Sequence, residues 1–164
     1  MPDLVTHVAV SHLLRRPFDF SRNEANPVPF RILFYFGTIL PDILTRPFYI
    51  LFPITKDWTV PFHTPFGMIL TCALLALLFE TSIRRKAFIN LLGGAFFHFF
   101  LDALQKHLNE GIFWFFPFSW KSGGFQFLWA DKIMNFIPVW IVLIILLEVT
   151  IFYRRKQIKK HSRN

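Results

Sequence analysis

The run from Ile133 to Phe152 constrains this chain more than any other feature. It holds 20 residues with one formal charge, Glu148, and one other strongly polar side chain, Asn135. A mostly apolar stretch of about 18 or more residues is long enough to cross the hydrocarbon of a bilayer as a helix. Three further apolar stretches precede it: Phe30 to about Phe52, Pro61 to Phe79 and Ala87 to Leu104. The composition agrees, because 54% of the 164 residues are hydrophobic, 23 of them phenylalanine, and the mean hydropathy is +0.43. The expected fold is an all-α, polytopic membrane protein with about four transmembrane helices. Helices of that kind satisfy their own backbone groups where no water is present to do so.

The remaining segments are read around those spans. Pro2 to Leu14 predicts a short helix ended by Arg15 and Arg16, and Pro17 to Pro29 a polar loop. Pro41 and Pro47 predict a kink or break in the first span. Arg84, Arg85 and Lys86 predict a tight basic turn, and the aromatic stretch Phe113 to Trp129 an interfacial segment. Residues 1–153 are expected to form one transmembrane helical domain, and residues 154–164 a basic cytoplasmic tail.

The formal net charge of +8 does not point to nucleic acid, since the basic residues sit beside apolar spans and not as a stripe on a soluble module. Membrane lipids are the expected partners. Placing Arg15-Arg16, Arg84-Arg85-Lys86 and the Arg154–Lys160 cluster on the cytoplasmic side needs an even number of crossings between each pair. Four spans supply two in each interval, which leaves both termini cytoplasmic. The single cysteine, Cys72, excludes a disulfide framework and a cysteine-based metal knuckle. Met1 to Ser11 contains no Lys or Arg, unlike the start of a secretory signal.

Ionisable side chains at membrane depth are costly and therefore mark candidate sites. Asp42, His98 and Asp102 fall inside apolar stretches, with His7 and His63 close to others. His98 and Asp102 are four apart and share a helix face. At about 1.5 Å per residue, His98 stands roughly 18 Å from Lys86, Asp42 a similar distance from Phe30, and His7 roughly 12 Å from Arg15 if its helix dips into the membrane. Imidazole and carboxylate are donors for zinc or another first-row divalent ion. Helix-packing hydrogen bonds are the alternative for the His98–Asp102 pair, and a helix break after Pro41 is the alternative for Asp42. Arg46, four residues after Asp42, can pair with it or neutralise an anionic substrate group; snorkelling to the headgroups is the other possibility. His12, His107 and His161 are read as structural or interfacial.

Several motifs follow in order: Thr6-His7, Gly37-Thr38-Ile39-Leu40-Pro41-Asp42, His63-Thr64-Pro65, Gly94 to Asp102 with His98 between them, and Pro117-Phe118-Ser119. With this set the chain resembles the bacterial inner-membrane, membrane-bound metal-dependent hydrolase family, whose motifs have also been likened to zinc-dependent phospholipase C. The resemblance implies a divalent metal, zinc by expectation, held by a combination of His7, Asp42, His63, His98 and Asp102. A hydrolase of that kind would use Asp102 or Asp42 as general base if one of them is not a ligand, on a lipid-like or other membrane-associated ester or phosphoester. Leu44 stands where the family usually has a second acid, and His63 is the one histidine of a segment that usually has more, so a single ion is expected. The alternative function is a non-catalytic membrane protein whose polar residues knit helices together or bind an ion or partner.

Overall fold

The computed structural model describes residues 4–22, 27–106, 111–125, 127–129, 132 and 134–161. The chain is mostly helical: α1 (Leu4–Arg22), α2 (Val28–Leu51), a short α3 (Lys56–Thr59) between 3₁₀ turns at Pro53–Thr55 and Val60–His63, α4 (Pro65–Ala76), α5 (Thr81–Ala103) and α6 (Ile137–His161). After α5, β1 (Gln105–Lys106) pairs in parallel with β2 (Leu128–Trp129), Gln105 opposite Leu128.

The centre of the molecule is the crossing of α2 and α5. A Cβ on Gly37 would lie 2.1 Å from the Leu91 carbonyl oxygen, and one on Gly94 would lie 2.1 Å from that of Phe34. The backbones therefore touch where neither residue has a side chain, the packing that small residues permit between helices in lipid. Leu91, Ala95, Phe99 and Ala103 of α5 continue the core with Leu40 of α2 and Met68 and Cys72 of α4. Ser11 of α1 donates to the Thr38 hydroxyl of α2 at 3.1 Å, in a fully buried contact. α6 packs against α1. Most of its apolar side chains, such as Ile145 and Leu146, face outward.

Several expectations are corrected. α1 does not end at Arg15-Arg16 but continues through Pro17 to Arg22. Arg15 pairs with Asp19 one turn on, 2.9 Å away, and Arg16 with Glu148 of α6, so both arginines are held inside the helix. α2 is one continuous helix across Pro41 and Pro47. Each proline removes one rung of the ladder, but Pro41 lies in the stretch of α2 packed along α5, and Thr45 donates back to its carbonyl at 2.8 Å. The basic residues 84–86 lie within the first turns of α5, and the turn itself is formed by residues 77–80. α6 runs through the basic stretch to His161.

The expected second span is broken at Thr64. That residue is extended, accepts from the Gly67 amide and donates to the Pro61 carbonyl, capping α4 with Pro65 in its first turn. The chain bends by 72° there. Two helices are long and apolar enough to cross a membrane, α2 over Val28–Phe48 and α6 over Ile137–Ile158, and the bent pair makes up to three. α5 has the length, 23 residues, but its early basic residues and His98 and Asp102 lower its hydropathy. The three basic clusters share one end of the bundle. Lys86 Nζ lies over Phe30, the Arg15 guanidinium over Phe34 and that of Arg155 over Phe20, at 5.5, 5.6 and 5.9 Å.

Candidate metal centre

α2 and α5 leave the basic end side by side and meet at Gly37 and Gly94. Asp42 stands five residues past the first glycine, His98 four and Asp102 eight past the second. Because the helices run in the same direction from a common contact, these side chains reach one level. α1 runs the opposite way. Pinned by Ser11 to Thr38, it carries His7 one turn further, to the same level. The capped bend at Thr64 turns the end of the 3₁₀ segment inward and supplies His63.

All six candidate residues of the sequence come together there. His63 Nε2 and His98 Nε2 are 3.2 Å apart, and Asp102 Oδ2 lies 3.2 Å from His98 and 3.5 Å from His63. Asp42 Oδ1 is 3.7 Å from His63 and 3.9 Å from His98. Donors placed tetrahedrally at about 2.0–2.1 Å from one zinc ion lie about 3.3–3.4 Å from each other. The His63–His98–Asp102 triangle has edges close to that spacing. His7 Nε2 approaches the other oxygen of Asp102, Oδ1, at 3.4 Å, and its ring lies 4.5 Å from that of His98. Two overlapping triads, His7–His98–Asp102 and Asp42–His63–His98, each offer three ligand atoms within 4.8 Å of one another.

Charge and burial favour a cation. The side chains of His7 and His98 are wholly buried, and those of Asp42 and Asp102 are 4% exposed. Arg46 Nη2 reaches Asp42 Oδ2 at 2.7 Å and neutralises one of the two carboxylates. The second needs a protonated histidine or a bound cation, since an unbalanced charge is expensive in low dielectric. The nitrogen and oxygen donor set suits a first-row divalent ion, so the residues fit a metal. The cluster opens to its surroundings at Arg46 and His63, whose side chains are 20% and 25% exposed.

The sequence of residues 1–160 matches the family described as YdjM inner membrane protein. The chain belongs to the YdjM inner membrane protein family. No curated protein and no solved structure matches it. Membership makes the chain an inner-membrane protein, in agreement with its apolar helices, and the family's description names no activity. The matched region contains the whole His/Asp cluster.

Sequence reasoning missed a second polar assembly nearer the basic end. Tyr35 Oη and His12 Nδ1 are 2.9 Å apart, His12 Nε2 and Glu148 Oε1 are 3.0 Å apart, and Arg16 Nη2 donates to Glu148 Oε2 at 2.9 Å. The bond to Glu148 raises the Arg16 pKa above its ordinary value. Asp19 joins Arg15 to Arg31 of α2, 3.7 Å away. The Arg15–Asp19 spacing of four was a usable signal; the contacts of Glu148 had none. The Pro117-Phe118-Ser119 motif lies in an exposed turn, with Phe118 92% accessible. His107 lies outside the described residues.

Proposed function

We propose that the chain is a membrane-embedded, metal-dependent hydrolase acting on a lipid-like or other membrane-associated ester or phosphoester. The observation that carries this is the convergence of His63, His98 and Asp102 at 3.2–3.5 Å, with Asp42 beside them. His63, His98, Asp102 and Asp42 are the residues that would hold the ion, zinc by preference. His7 orients Asp102 through the oxygen the triangle leaves unused, the role that partners of metal ligands commonly play. When bound, the metal supplies Lewis-acid polarisation of an ester oxygen and a more acidic water.

The chain's own residues do the rest. Asp42, at the longer distances of the four, is the carboxylate that would give up its place on the ion to water and take a proton as general base. Arg46, at the opening, meets an anionic group of the substrate while keeping Asp42 charged. The buried walls exclude water from all but that opening.

A topology of four crossings with both termini cytoplasmic accompanies this proposal. It is supported by the common end of the three basic clusters and requires α5 and the bent α4 segment to cross as well.

The non-catalytic alternative rests on the Arg46–Asp42 ion pair and the histidine contacts of Asp102, which give each carboxylate a partner from the chain itself. Elemental analysis of detergent-purified protein separates the two. Near-stoichiometric metal, lost in folded His98→Ala or Asp102→Ala, supports the hydrolase. Folded wild type that stays metal-free after zinc and manganese are supplied refutes it.

A further inference from the structure

Between α2 and α4 the chain forms a strap, residues 53–63, made of two 3₁₀ turns and the single turn of α3. Its side chains are segregated. Ile54, Trp58 and Phe62, at steps of four, are 90%, 81% and 47% exposed. Thr59 is buried on the other side, and His63 reaches Asp42 and Asp102 at 3.7 and 3.5 Å. The strap begins five residues after the apolar window Val28–Phe48 ends, and α4 then turns back. With α2 crossing over that window, the strap falls at the boundary of the bilayer. Beyond α5, at the same end of the bundle, Phe115, Trp120, Phe125 and Trp129 are also exposed. Tryptophan and other amphipathic aromatic groups favour the headgroup level.

We infer that Ile54, Trp58 and Phe62 form a membrane-docking face whose partner is the interfacial layer of the bilayer, and that docking holds His63 on the donor cluster. His63 is the one donor carried by a short turn; the other four stand on helices of 19 residues or more. A strap whose outer face has nothing of the described residues against it is positioned by what it leans on. Lipid pressing on that face keeps the inner face, and His63 with it, in place. The coupling rests on the metal assignment proposed above; the docking does not.

Two measurements test it in nanodiscs of phosphatidylethanolamine and phosphatidylglycerol. Nitroxide labels are placed at Ile54→Cys or at the exposed Asp57→Cys in a Cys72→Ala background. The label at 54 is expected to collide more with oxygen, and that at 57 more with a polar nickel chelate. The reverse order overturns the docking. Zinc affinity is then compared between wild type and the Ile54→Ser/Trp58→Ser/Phe62→Ser variant, with helicity checked. A loss of about tenfold, the low end for residues that orient a ligand, is expected, with His63→Ala losing more. Equal affinities overturn the coupling even if the labels lie in lipid. Wild type that takes up no zinc overturns the metal assignment and the coupling together, and the label pattern still decides the docking.

Discussion

Adjacent glycines on α5 offer a sharp test of how the cluster is assembled. In Gly94→Ala the new Cβ would meet the Phe34 carbonyl oxygen at 2.1 Å and the Thr38 amide nitrogen at 2.7 Å. Ordinary contact begins at 3.4 Å, so the shortfall from 2.1 to 3.4 Å is 1.3 Å, against backbone that no rotamer change can move aside. α2 and α5 must separate by roughly that much, at an overpacking cost of about 1–3 kcal/mol. The separation falls directly on the site. His98 Nε2 and Asp42 Oδ1 start 3.9 Å apart, and two ligands of one zinc ion at about 2.1 Å can be no more than about 4.2 Å apart. Gly94→Ala is therefore expected to stay folded with a lowered Tm and to lose Asp42 from any bound metal. In Gly93→Ala the Cβ meets only the Phe34 ring, at 3.5 Å, so this neighbour should behave as wild type. Thermal unfolding followed by circular dichroism, with zinc titration of both variants, reads the two effects. Gly94→Ala with wild-type Tm and zinc affinity would refute the view that the glycine crossing sets the distance between the ligands.

Three further outcomes are expected. Arg46→Gln should retain metal while raising KM for an anionic substrate; loss of metal together with the fold would make Arg46 a structural partner of Asp42 only. Glu148→Gln should lower the Tm by weakening the link from α6 to His12 and Arg16, and Leu146→Ala, on the outward face, should lower it less; the opposite ranking in detergent melts would show that apolar contact holds α6. Reporter fusions after Lys56, after Arg85 and at the C-terminus should read non-cytoplasmic, cytoplasmic and cytoplasmic, and a cytoplasmic signal after Lys56 would remove the four-crossing topology.

Hydropathy and chemistry made the main features of this protein legible in one dimension. The long apolar runs, the basic clusters beside them and the costly ionisable residues within them are all local properties. They were enough to name a membrane protein and six side chains that the fold gathers into one cluster. The level matching of Asp42 and His98 was legible too, because rise per residue is constant along a helix.

Local rules failed where a neighbour supplied what the segment lacked. Pro41 and Pro47 predicted a kink or a break, and the break does not occur: α2 runs on, with its glycine face packed on α5. Arg15 and Arg16 predicted a helix end, yet each has an acid within reach, and α1 continues. The second apolar run looked like an uninterrupted span because hydropathy does not register a threonine cap, and Thr64 bends it by 72°. Composition determined the solvent this chain lives in and the chemistry it can offer. The tertiary structure alone decided which polar residues meet. His7 faces Asp102 because α1 runs against α2, and His63 faces both carboxylates because a capped bend turns it inward. Such meetings depend on helix direction and on backbone contact at two glycines, which no single segment encodes.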